Sequence, residues 1–247
     1  MIVHRDEGRG PATSFAGVAE EYERARPGYP EDAARWLVGE PPLDVVDLGA
    51  GTGKLTRTLV ALGHRVTAVE PLPEMSAFLQ EALPAVTVLE GGAEAIPLDD
   101  ASADVVTAAQ AFHWFDHGPA LQEIARVLRP GGRLALVWNT RDEAEPWVAQ
   151  LSSEALGTES VERSDVAAPV EESRLFGEVE RMTFPHTQRL DLPLLLDLVR
   201  SRSYCAVMTP ADRAPVLERA QRIFEQHAVD GVLELPYMTE CFRAARL

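Results

Sequence analysis

Apolar residues along the chain fall into two rhythms, and the rhythms alternate. Residues 43–48 (LDVVDL) form a short, nearly continuous apolar run closed by glycines, the mark of a strand buried on both faces. Residues 53–62 carry apolar positions at helical spacing and stop at Gly63, which predicts a helix with a glycine terminus. The same alternation predicts strands at 65–70, 86–90, 103–109 and 133–138. It predicts helices at 73–83 and 117–128, the second ended by Arg129, Pro130, Gly131 and Gly132. Upstream, 14–24 reads as a helix with Phe15, Val18, Ala19 and Tyr22 on one face, and 30–39 as another. Arg26-Pro27-Gly28-Tyr29-Pro30 separates them, because a proline pushes its predecessor out of the α region. Residues 1–13 read as a loose start.

Strands alternating with helices imply crossover units: a doubly wound α/β fold with helices on both faces of a mostly parallel sheet. Such sheets bind ligands beyond the carboxyl ends of their strands. After Trp138 the rhythm breaks. Residues 141–174 read as mostly helical, 178–184 as a strand, and 192–201 and 210–227 as helices. Residues 232–243 read as a last strand, with Pro236 arguing for an edge position or a bulge. The expected organisation is one domain: lid helices at 1–40, a ligand-binding core at 41–140, then a helical cap insertion with the final strands at 141–247.

Composition narrows the function. Apolar residues at 46% and charged residues at 25% describe an ordinary globular chain. The formal charge is −16, no Lys/Arg run occurs, and Lys54 is the only lysine. Nucleic-acid affinity rests on cations neutralising phosphates, so nucleic acid is not an expected partner. Cys205 and Cys241 supply neither a disulfide framework nor a Cys-rich zinc site. No apolar run reaches the ~18 residues of a membrane span, and residues 1–10 lack the apolar core of a signal peptide. The expectation is a cytoplasmic protein without a membrane partner; monomer and homodimer both remain open. His4, His64, His117, His186 and His227 show no ligand spacing with acids or cysteines, so no catalytic metal is expected.

The chemistry gathers at Asp47-Leu48-Gly49-Ala50-Gly51-Thr52-Gly53. Glycines between a strand and a helix permit positive φ and let a ligand lie on bare backbone. Helix-start N–H groups favour a polar or anionic ligand group. A P-loop is excluded, because its first glycine falls on Leu48 and its hydroxyl residue on Leu55. The dinucleotide fingerprint is excluded as well, because its third glycine falls on Lys54. Glu70 ends the second strand about 20 residues beyond Gly49, where an acid accepts from ribose hydroxyls.

With these residues in place, the chain resembles the class I S-adenosylmethionine-dependent methyltransferases. VVDLGAGTGKLT resembles their first motif and VTAVEP their ribose-binding strand end. GGAEAIPLDDASADVV is similar to the adenine loop and fourth strand, and RVLRPGGRLALVW to the turn and fifth strand. YERARPGYP and QAFHWFD further resemble a small-molecule subgroup that includes trans-aconitate methyltransferase-like proteins. The resemblance implies a Rossmann-like seven-stranded sheet whose last strand is antiparallel, and S-adenosylmethionine as cofactor. It implies that Gly49, Ala50, Gly51 and Gly53 pass along the methionyl part, with Asp47 helping to hold its ammonium through water or the loop. Glu70 would hold the ribose, with Pro71, Leu72 and Met75 on the adenine side. Ala93 and Glu94 would meet the adenine edge, and Gln110 and Ala111 would lie near the sulfonium.

The expected reaction is in-line methyl transfer to an oxygen, nitrogen or carbon of a small-molecule acceptor. His113 is the candidate general base, or else a histidine shaping the pocket floor beside Trp114. Tyr22, Tyr29, Phe112 and Trp138 either wall an apolar acceptor or belong to the core. Arg26 and Arg141 are candidates for receiving an acceptor carboxylate. Two other functions stay open: use of the bound sulfonium in cyclisation or rearrangement, and a non-catalytic binding partner on the same fold.

Overall fold

A computed structural model describes residues 23–157 and 166–247. Tyr22, the loose start and most of the helix expected at 14–24 lie outside these residues, as does 158–165 of the expected cap.

Residues 23–25 are helical, and the first helix described in full is α1 (Glu31–Val38). Then come β1 (Asp44–Leu48), α2 (Lys54–Ala61), β2 (Arg65–Val69), α3 (Pro73–Ala82), β3 (Thr87–Leu89) and β4 (Ala103–Ala109). A 3-10 turn (Phe112–Trp114) leads into α4 (His117–Val127) and β5 (Leu128–Arg141). The elements beyond are α5 (Pro146–Leu151), α6 (Ala167–Glu172), β6 (Glu180–Leu190), α7 (Leu192–Arg200), α8 (Ser203–Ala206), α9 (Pro210–His227) and β7 (Leu233–Ala245).

The seven strands form one sheet in the order β3-β2-β1-β4-β5-β7-β6. β3, β2, β1, β4 and β5 pair in parallel, and β7 runs antiparallel between β5 and β6. This is the Rossmann-like, mostly parallel sheet with an antiparallel final strand that the resemblance implied. Side-chain alternation along the central strands builds a core on each face. Val46, Val106 and Leu136 pack with Leu121 and Ile124 of α4. Val45, Val105 and Val137 pack with Leu37 of α1 and with Leu55 and Leu59 of α2. A separate apolar cluster joins Val148, Leu151, Leu195, Leu198 and Ile223 of the helices that follow β5 to Leu235 and Tyr237 of β7. The order reverses at β1, between β2 and β4, so the crevice above β1 and β4 is where a ligand is expected.

Three boundaries differ from expectation. β5 begins at Leu128 rather than 133: Ala103 pairs with Leu128 and Val105 with Arg133, so residues 129–132 loop out as a bulge. β6 extends to Leu190, past Pro185, because it is the sheet's outer strand and a missing N–H is tolerated there. β7 is not an edge strand despite Pro236. The ladder with β5 ends at Arg141↔Tyr237, and Pro236 accepts from the Asp142 amide without having to donate back. The proline therefore marks the end of one ladder, not the rim of the sheet. Among the described residues no helix is long and apolar enough to cross a membrane.

Candidate functional site

β1 and β4 end beneath a cavity of about 500 Å³. The glycine loop forms one wall. Gly49 and Ala50 both donate to the Val69 carbonyl, which turns the chain back over β2. Gly49 has φ +66, and a Cβ there would lie 2.8 Å from that of Ala111, so only glycine lets the β1 and β4 loops meet. Gly51 has φ +58, and the space its Cβ would take is open.

Glu70 ties this loop to the next strand. Its Oε2 accepts from the Gly51 amide at 2.8 Å and its Oε1 from the Leu72 amide at 2.9 Å. Each oxygen keeps a further lone pair, and the residue lines the cavity. Burial pushes its carboxyl above the ordinary range, against those two amides, which pull it down. Pro71, Leu72, Met75, Ala93 and Glu94 continue the wall. Glu94 Oε1 accepts from the Asp116 amide at 2.8 Å, which fixes the carboxylate at the rim.

Gln110 and Ala111 form the floor. Gln110 sits at φ +54, an uncommon conformation for a side-chain-bearing residue, and donates through Nε2 to the Asn139 carbonyl at 3.1 Å. The other half of the cavity is lined by Arg26, Tyr29, His113, Trp114, Arg202 and Tyr204. The His113 and Trp114 rings lie 4.5 Å apart. His113 Nδ1 is buried without a hydrogen-bond partner. Burial first, and then the charge of His117, lowers the His113 pKa, so its imidazole is neutral at pH 7.

Five expectations are corrected or narrowed to one of their alternatives. Asp47 does not reach the cavity: it is 1% exposed. Its carboxylate accepts from Thr56 Oγ1 at 2.6 Å and Thr107 Oγ1 at 2.8 Å, which makes it a brace under the loop. Burial raises its pKa to about 6 in spite of those hydroxyls. Gly53 turns away from the cavity, and a Cβ there would meet Leu79 at 2.8 Å. Phe112 is buried against His117 and Phe115. Trp138 packs edge-on against Phe242 in the core. Arg141 is buried, donating to Ser152 Oγ and the Gly157 carbonyl, so its guanidinium holds the turn after α5 and does not line the cavity. Sequence reasoning missed Thr52, Lys54, Asn139, Arg202, Tyr204 and Tyr237 as lining residues. Thr52 and Lys54 flank Gly53 and were within reach of the motif. Arg202 and Tyr204 carry no local signal.

The chain is 46% identical over 240 residues to an uncharacterised methyltransferase of Mycobacterium bovis, covering 96% of this chain and 97% of that one. The chain belongs to the class I S-adenosylmethionine-dependent methyltransferases. A family model described as a methyltransferase domain matches residues 46–136. An uncharacterised methyltransferase-like protein of Schizosaccharomyces pombe is 34% identical over 245 residues, covering 94% of this chain and 95% of that one. A solved methyltransferase structure from Anaeromyxobacter dehalogenans superposes with a TM-score of 0.64 at 27% identity, covering 90% and 97% of the two chains. Membership implies S-adenosylmethionine as methyl donor. This methyltransferase suits it on two local grounds: bare backbone at Gly51 beside open space, and a buried carboxylate at Glu70 with two accepting positions to spare.

Proposed function

We propose that this methyltransferase holds S-adenosylmethionine along residues 49–52, Glu70 and Glu94, and methylates a small-molecule acceptor lodged between Tyr29, His113, Trp114 and Tyr204. The observation that carries the reading is Glu70, one carboxylate spanning the glycine loop and the β2 end inside the cavity. Vicinal ribose hydroxyls are the donors that match its remaining lone pairs. Glu94, which lines the same cavity, would accept from the adenine amino group.

When bound, the cofactor supplies a methyl group already activated on a sulfonium. The chain then has to align, exclude water and handle one proton. Gln110 and Ala111 set the floor under the methyl. The aromatic half closes around the acceptor. His113 lines the cavity and its imidazole is neutral, so it can accept a proton from a hydroxyl or amine acceptor as the new bond forms. A carboxylate acceptor has no proton to lose, and His113 then only shapes the floor.

The test has two stages. Calorimetry with S-adenosylhomocysteine should show binding, and a methyl-labelled cofactor should label a small molecule in a metabolite extract. Binding followed by no labelled product from any extract would count against transfer. Turnover that leaves the cofactor's methyl in place would assign rearrangement chemistry instead.

A further inference from the structure

The methionyl end of the cofactor brings a carboxylate into the cavity, among partly buried groups. A charge moved there needs a cation or hydrogen-bond donors. Asp47 cannot organise that end, because its oxygens are engaged by Thr56 and Thr107 beneath the loop.

Two donors stand beside the glycine loop. Thr52 lines the cavity and is 1% exposed, and its hydroxyl oxygen is buried with no hydrogen-bond partner. Lys54, the only lysine of the chain, lines the same cavity with its side chain 17% exposed. Its ammonium donates to the Glu23 carbonyl and stands 3.8 Å from Glu23 Oε1. An ammonium has three N–H donors, so that one carbonyl does not exhaust it. Glu23 has a second cation beside Lys54: Arg57 Nη2 donates to its Oε1 at 3.0 Å. The other cations of the cavity belong to the cap side: Arg26 donates to Ser201 Oγ and the Ser201 carbonyl, and Arg202 follows α7.

We propose that Lys54 and Thr52 hold the α-carboxylate of the cofactor's methionyl group. This rests on the cofactor reading above. The same ammonium grips the Glu23 carbonyl, so the bound carboxylate is joined through one side chain to the segment that carries Arg26 and Tyr29. Occupation of the donor site thereby steadies one wall of the acceptor site.

Two ligands separate this role from general support. S-adenosylhomocysteine carries the amino-acid end, and 5′-methylthioadenosine lacks it while keeping the nucleoside and the thioether. Calorimetry on the full chain should show Lys54→Met weakening S-adenosylhomocysteine about 10- to 100-fold, the loss of one charge-assisted interaction. Methylthioadenosine should change by less than about 2-fold, on the same accounting. Lys54→Arg keeps the charge and should retain most of the preference for the amino-acid ligand; it also serves if the Met variant folds poorly. Thr52→Val should act in the same ligand-selective direction with a smaller effect. Equal weakening of both ligands would assign Lys54 to structure alone, and no weakening of either would remove it from the site; both overturn the proposal. If the unaltered chain bound methylthioadenosine but showed no gain from the amino-acid end, the carboxylate site would fall and the cofactor reading would stand. If it bound neither ligand, both would fall.

Discussion

Asn139, near the end of β5, donates through Nδ2 to the Gly28 carbonyl at 2.9 Å, and its Oδ1 accepts from Thr239 Oγ1 at 2.7 Å. Its backbone carbonyl receives Gln110 Nε2. One residue thus ties the floor of the cavity to the loop bearing Tyr29. Asn139→Ala should speed hydrogen exchange in residues 26–30 and lower kcat/KM about 10- to 100-fold through misplacement. S-adenosylhomocysteine affinity should stay within about 3-fold, since the cofactor loop is untouched. Unchanged exchange in the variant would refute the tie.

Glu70 and Lys54 should fail in different ways. Glu70→Ala removes the acceptor of two amides and the proposed partner of the ribose. Calorimetry should show S-adenosylhomocysteine and methylthioadenosine weakened alike, by about 100-fold. A loss confined to the amino-acid ligand would place Glu70 elsewhere.

Two glycines two positions apart should separate binding from stability. At Gly51 an added methyl enters open space on the cavity side at φ +58, with strain of ~1–2 kcal/mol. At Gly53, with φ +85, it collides with Leu79. Gly51→Ala should therefore cost affinity with a modest fall in Tm, and Gly53→Ala should cost stability first, read by thermal denaturation. The reverse pattern would mean that the loop presents Gly53, not Gly51, to the ligand.

Asp47 gives the chain a pH signature. Its folded pKa, about 6, lies above the ordinary 3.8. The folded state therefore holds this proton more tightly than the unfolded state. Its contribution is most favourable below pH 4 and declines as pH rises toward 6, by ~3 kcal/mol in all. Chemical denaturation from pH 4 to 7 should show that decline in the native chain and lose it in Asp47→Asn. Parallel curves would show that Asp47 is ionised at an ordinary pKa.

His113 is testable through rate. If it takes the acceptor's proton, kcat/KM falls as pH drops through its lowered pKa, beneath the ordinary 6.5. His113→Gln should abolish that acid limb as well as slow the reaction, by about 100-fold or more. A limb that persists in the variant would leave His113 a purely shaping role.

The glycine-loop half of the cavity, proposed for the donor, was legible because it is local. Strand, glycine loop, helix and the Glu70 strand end are set by neighbours in sequence, so spacing alone located them. The acceptor half was not. Phe112 and Trp138 are aromatic residues next to strand ends, and whether such a ring faces a cavity or a core depends on which helix covers it. Here α4 receives Phe112, and Phe242 of β7 receives Trp138. Arg141 reads as an exposed cation until the π-helical turn Ser152–Leu156 is seen to close over it. Arg202 and Tyr204 enter from beyond α7, far along the chain, with no pattern to announce them. Pro236 misled for a related reason: its meaning depends on where β5 stops, which its own neighbours do not encode.

The solitary lysine has a practical side. Lys54 holds the chain's one side-chain amine, and it lines the cavity. An acylating dye, a biotin ester or an amine-coupling resin aimed at side chains has a single address, and that address is the proposed reaction chamber. Tagging it should plug the chamber, whereas ligand occupancy should shield it. One slow acylation, followed by mass spectrometry, thus becomes a gauge of occupancy that needs no knowledge of the acceptor.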